Sequence, residues 1–150
     1  MTIDHTLTAP AAREILAAQP FSVLVGARIT QFGDGRTTLE IPIHHELLQQ
    51  HGVVHGGVLS YAADNALTFA AGSVLGSNIM TAGFTITYLR PARGALLSAE
   101  ARADGATRRQ ALCRCDIYAV TEDGERMLCA AAQGTATVVE DRTARVVEDR

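Results

Sequence analysis

The chain contains no lysine; all 13 of its basic residues are arginines. Set against 16 acidic residues, they leave a net charge of −3. That balance excludes a protein held to nucleic acid mainly by phosphate contacts. Arginine suits bidentate phosphate binding, but so complete a usage is read as compositional bias. No apolar run reaches the roughly 18 residues that span a bilayer, so no membrane partner is expected. The opening MTIDHTLTAP lacks a basic start and an apolar core. No signal peptide is read there, and a cytoplasmic location is expected. Cysteine is scarce and odd in number: Cys113, Cys115 and Cys129 cannot all pair within one chain. Cys113 and Cys115 share one face of an alternating stretch. The two-residue gap and nearby histidines of a zinc site are missing, so they read as small buried hydrophobes.

What is present describes one ordinary domain over residues 1–150. The chain is 47% hydrophobic and 19% charged, enough for a proper core. A short helix over about 9–18 opens at Thr8-Ala9-Pro10 and is closed by Pro20. Phe21, Val23, Val25, Ala27 and Ile29 alternate as a strand, Asp34-Gly35 turns the chain, and Leu39, Ile41 and Ile43 alternate on the return. A long helix follows from about Gly56 to Leu75. Four more alternating segments, joined by the short loops RPARG, DGATRR and TEDGE, predict antiparallel neighbours. The class is α+β, with a core over about 20–139. VVEDR occurs at 138–142 and again at 146–150; the charged end from about 140 is read as a loose or oligomer-contacting tail.

At 100° per residue, Ser60, Tyr61, Asp64, Asn65 and Thr68 gather within roughly 140° of the long helix. Apolar residues, many of them alanine, take the remainder. A helix apolar over so much of its girth is wrapped by the rest of the protein. Its polar stripe is then either a solvent face or the wall of a site. An ordinary solvent face would carry several charges; this one carries a single carboxylate among hydroxyls and amides.

His55-Gly56-Gly57 stands where the helix begins, with N–H groups lacking partners and a positive dipole end. Such groups could hold a carbonyl oxygen that gains negative charge, and a polarised carbonyl beside a carboxylate suggests acyl-group hydrolysis. Gly57 and Asp64, however, lie seven residues apart on one helix, about 10 Å at the normal rise. One carbonyl cannot touch both. A functional reading therefore requires two copies of the chain, antiparallel across a two-fold axis.

QQHGVVHGGVLSYAADNA and the downstream TAGFTITYLRPARG resemble the hot-dog-fold acyl-CoA thioesterases, in the phenylacetyl-CoA thioesterase (PaaI-like) branch, over about residues 20 to 139. The resemblance implies a long central helix wrapped by a six-stranded antiparallel sheet, in homodimers or homotetramers with sites at the dimer interface. It implies hydrolysis of a small or medium acyl-CoA, aromatic ones included, with coenzyme A as part of the substrate and no separate cofactor. Asp64 would attack the thioester or activate water. The Gly57 N–H of the partner chain would polarise the carbonyl, and His55 would orient the loop. Thr81 stands where a hydroxyl helps place the water, with Thr68 a second candidate of that kind. Gln49 occupies the position of an asparagine in many relatives, and its amide, a candidate to place the thioester or water, reaches one methylene further. Asn65 and Phe69 are expected on the acyl pocket wall. Arg90, Arg93, Arg108 and Arg109, beside predicted strand ends, are the phosphate-binding candidates.

Other readings compete. His51 and His55 have i, i+4 spacing, but Gly52 and Val53-Val54 disfavour a helix there, so no metal is expected. No G-x-S-x-G occurs, which leaves a serine elbow unsupported. An acyl-CoA hydratase or dehydratase on the same fold would pair Asp64 with His55 across the interface. A non-catalytic acyl-CoA binding module would not need Asp64.

Overall fold

The computed structural model describes residues 6–140. Helix α1 spans Ala9–Ala17; the Thr8 hydroxyl caps it by accepting from the Ala11 N–H at 3.3 Å. A second helix, α2, spans Pro20–Val25, where the sequence pattern predicts the start of a strand. Pro20 opens this helix as well as ending the first, because its fixed φ suits a first helical position. Gly26, at φ 79°, closes it in the left-handed conformation. The apparent alternation was misleading: Phe21, Val23 and Leu24 are exposed, and Ser22 and Val25, three apart, are the buried pair. The second copy of VVEDR lies outside the described residues.

The strands are β1 (Arg28–Gly33), β2 (Arg36–Pro42), β3 (Ile79–Tyr88), β4 (Leu96–Ala106), β5 (Gln110–Val120) and β6 (Arg126–Val138). They form one antiparallel sheet in the order β1-β2-β4-β5-β6-β3. Helix α3, Gly56–Leu75, lies in its concavity and packs against all six strands. Small residues permit this. Ala62, Ala63, Ala66 and Ala70 on the helix meet a sheet face that carries Ala99, Ala101, Cys113, Cys115, Ala130 and Ala132, all buried. The larger Leu39, Ile41, Leu97 and Ile117 fill the remaining space and contribute roughly 1.5–3 kcal/mol each by leaving water.

β3 is an edge strand, and it carries a bulge. Thr81 pairs with Ala136 and Gly83 with Thr135, so Ala82 is an extra residue. The bulge changes which residues face inward. Ile79 and Thr81 lean toward α3 before it; Phe84 and Ile86 do so after it. On β6, Gly134 opposes Phe84, and a Cβ there would collide with the Gly83 carbonyl and Phe84. The bulge thus depends on a missing side chain across the ladder.

Candidate active site

α3 and β3 run antiparallel and are pinned at two points. The Tyr88 hydroxyl donates to the Gly56 carbonyl at 3.0 Å near the helix start. Further along, the Thr81 hydroxyl donates to Asp64 Oδ1 at 2.5 Å. Thr68 Oγ1 lies 2.6 Å from Thr81 Oγ1 and donates to the Asp64 carbonyl at 2.8 Å. Proton counting orders this cluster. Thr81 spends its one hydrogen on the carboxylate, so the single hydrogen of Thr68 is shared between the Asp64 carbonyl and Thr81 Oγ1. Asp64 Oδ2 has no hydrogen-bond partner among the described residues, and the side chain is only half-buried. A carboxylate is fixed by one oxygen and open at the other.

The polar stripe of α3 divides into two functions. On one side, Asp64 and Thr68 meet β3. On the other, Asn65 and Tyr61 meet the N-terminal helices. Tyr61 donates to Ser22 Oγ at 2.6 Å, Ser22 donates to Gln19 Oε1 at 2.6 Å, and the Asn65 amide donates to Gln19 Oε1 at 3.1 Å and Tyr61 at 2.9 Å. Burial pushes the Tyr61 hydroxyl above its ordinary pKa, which keeps it a donor. Phe21 packs edge-on against Tyr61 with ring centroids 5.1 Å apart. Asn65, Thr68 and Phe69 share the wall of one cavity.

At the head of α3 the His55 side chain is the cap: its Nδ1 accepts the Gly57 N–H at 2.8 Å. An accepting Nδ1 places the neutral ring's proton on Nε2. Gly57 therefore has a partner within its own chain, a competitor that sequence reasoning missed. The rise of α3 keeps Gly57 and Asp64 about 10 Å apart. Gln49 is engaged locally: its side-chain oxygen accepts from the His51 N–H, and its backbone N–H donates to Val53. That carbonyl oxygen holds a turn.

The four arginines do not form one cluster. Arg90 and Arg93 lie before β4, and Arg108 and Arg109 follow it. An 11-residue strand separates the pairs, roughly 35 Å at the usual rise. The first pair has company that the sequence did not signal. A cleft of about 390 Å³ is lined by Arg90, Arg93 and Arg126, and Arg126 also pairs with Glu100 and stacks 4.1 Å over the Tyr118 ring. A second cleft, of about 300 Å³, shares Arg90 and Pro91 with the first and reaches Gly56, Leu59 and Tyr88 at the head of α3. Arg93 makes no ion pair among the described residues, and its guanidinium lies beside Gly52.

Cys113, Cys115 and Cys129 are buried free thiols. Burial pushes Cys113 up to about 11 and raises the other two as well. Among the described residues, no three His, Cys, Asp or Glu side chains cluster in a way that could hold a metal ion, and no helix is long and apolar enough to cross a membrane.

Residues 51–125 match the family model described as the thioesterase superfamily. A Haemophilus influenzae protein is 30% identical over 122 residues, covering 77% of this chain and 82% of that protein. The crystal structure of a thioesterase family protein from Silicibacter pomeroyi is 30% identical, with a TM-score of 0.82 over 87% of this chain and 96% of the other. The phenylacetic acid degradation protein PaaI from Thermus thermophilus, solved as a mutant, is 25% identical, with a TM-score of 0.70 over 81% and 100% of the two chains.

Proposed function

Because this chain belongs to the thioesterase superfamily and is a thioester hydrolase with the hot-dog fold, we propose that it hydrolyses acyl-CoA thioesters at a site shared by two copies. The observation that carries this reading is the Asp64 carboxylate, held through Oδ1 by Thr81 and open at Oδ2. Oδ2 either attacks the thioester carbon or takes a proton from the attacking water; both routes need the fixed orientation that Thr81 provides. The carbonyl oxygen gains negative charge as the tetrahedral centre forms. The N–H at the head of the partner's α3 stabilises that charge, aided by the helix dipole. Gly57 reaches this oxygen by exchanging its bond to His55 Nδ1 for one to the substrate. Collapse of the tetrahedral centre expels the thiolate of coenzyme A. In the water route the thiolate takes up the proton held by Asp64. In the attack route it takes one from solvent, and a water molecule then hydrolyses the acyl–Asp64 anhydride and frees the carboxylate.

The edge position of β3 supports a two-fold pairing through this strand. Met80, Tyr88 and Leu89 are exposed on and beside it, and its outer ladder groups lack a neighbouring strand. In that arrangement the clefts running from Gly56 to Arg126 belong to the chain that supplies Gly57. The pantetheine arm would lie along them, with phosphates at Arg90, Arg93 and Arg126.

A free-thiol release assay with Asp64→Asn tests the chemistry. The variant should fold and lose most of its turnover; wild-type turnover would remove Asp64 from the mechanism. Gly57→Pro deletes the N–H while remaining tolerable in a first helical turn. Mixing the two inactive variants should restore about a quarter of the wild-type rate under statistical pairing, since each hybrid holds one intact site. Hybrids that form without rescue would refute a shared site.

A further inference from the structure

A cavity of about 110 Å³ lies between α1 and the C-terminal half of α3. Leu7, Ile15, Phe69 and Ile79 give it apolar walls, and Gln19, Asn65 and Thr68 complete the lining. The amide of Asn65 donates to the Gln19 oxygen at 3.1 Å, so these polar groups satisfy each other without a ligand. Thr68 joins this cavity to the carboxylate cluster. Its side chain lines the space and also contacts Thr81 at 2.6 Å, while Thr81 holds Asp64. The cavity therefore begins one helical turn from Asp64, roughly 6 Å along the axis.

We propose that this cavity receives the acyl chain, and that Leu7 and Ile15 on the N-terminal segment set how long that chain can be. The inference rests on the reading of Asp64 as the group that opens the thioester. At about 30 Å³ for each water-sized group, 110 Å³ has room for roughly four. That matches a short aliphatic acyl group. A buried apolar cavity that admits benzene is larger, about 150 Å³, so the space beside Ile15 favours a short aliphatic group over an aryl ring. The division of labour follows from the proposed site shared by two copies. Asp64, Thr68 and the acyl cavity come from one copy, while the Gly57 N–H and the arginine cleft come from the other.

The Gln19–Ser22–Tyr61–Asn65 network keeps this end wall in place. It ties the junction between α1 and α2 to α3 beside the cavity. Ile15 is 37% exposed, so it can be changed with little loss of core packing.

The test compares butanoyl-, octanoyl- and phenylacetyl-CoA with wild type, Ile15→Ala and Ile15→Trp, each checked for folding by thermal melting. Wild type should favour butanoyl-CoA. Ile15→Ala should raise kcat/KM for octanoyl- and phenylacetyl-CoA relative to butanoyl-CoA by at least tenfold, and Ile15→Trp should shift the ratio the other way. Hybrid dimers of Asp64→Asn with Ile15→Ala add a second readout. Their single working site takes Asp64 and the cavity from the Ile15→Ala chain, so it should show the widened preference; a wild-type preference would overturn the chain assignment. An unchanged chain-length profile in both Ile15 variants would overturn the cavity assignment, although Asp64→Asn would still be inactive. Turnover surviving in Asp64→Asn would instead defeat the underlying reading of the chemistry.

Discussion

Replacing Thr81 with valine keeps the shape of the side chain and deletes one hydroxyl. That hydroxyl donates to Asp64 Oδ1 at 2.5 Å, and a hydrogen bond to a charged group contributes about 1.5–3 kcal/mol. Asp64 is only half-buried, so water can solvate the freed oxygen in the ground state, and the protein should remain folded. The loss should appear in the chemical step, where the carboxylate must point one oxygen at the thioester carbon or at water. At 1.36 kcal/mol per decade, Thr81→Val should lower kcat roughly ten- to a hundredfold with little change in KM. Thr81→Ser retains the donor and should recover most of the rate. Thr68→Val leaves the Thr81–Asp64 bond in place and should be milder, even though Thr68 and Thr81 are 2.6 Å apart. Steady-state thiol release, paired with a melting curve for each variant, supplies both numbers. A folded Thr81→Val protein with kcat within twofold of wild type would show that Asp64 needs no orientation from β3.

Gly134→Ala should disturb the same cluster from behind, because a Cβ there collides with the Gly83 carbonyl and Phe84. Overpacking of this kind costs roughly 1–3 kcal/mol, so the melting temperature should fall by several degrees and kcat should drop with it; Gly105→Ala, with open space around it, is the control that should change neither. Normal activity in Gly134→Ala would mean that the bulge is dispensable. The three thiols should be silent toward a disulfide reagent at pH 8 in the native protein and react at once in denaturant. With Cys113 at about 11, only about one molecule in a thousand carries that thiolate. The linkage has a definite sign: the folded thiols hold protons that the unfolded chain releases first, so stability is intact below the ordinary thiol pKa and falls as pH climbs from about 9 toward 11. A native thiol that reacts within seconds, or a stability that is flat over that range, would contradict the burial.

Some of this was readable from the chain alone. The 3.6-residue period exposed a helix with one polar stripe, and the stripe singled out Asp64 because it is the lone charge there. Elsewhere, periodicity misled. Phe21, Val23 and Val25 alternate like a strand, yet Pro20 and Gly26 delimit a short helix whose apolar side faces outward at Phe21, Val23 and Leu24. Thr81 is the sharper case. Counting back by twos from Phe84 and Ile86 turns it away from the helix, and only its place in a familiar motif suggested otherwise. The extra residue at Ala82 reverses that parity.

The arginines carry the same lesson in reverse. Four of them near strand ends looked like one cationic patch, but β4 separates two from the others, and Arg126 joins the first pair from a distant strand. The sequence by itself determined what repeats locally: helix faces, strand alternation, the small residues that let a sheet close on α3, and the helix start at Gly56. Tertiary structure decided which hydroxyl reaches Asp64, that His55 holds the Gly57 N–H, and that α1 closes the cavity beside Thr68. Periodicity encodes which side of an element is apolar. Contacts between elements depend on register and bulges, which are set only when the strands pair.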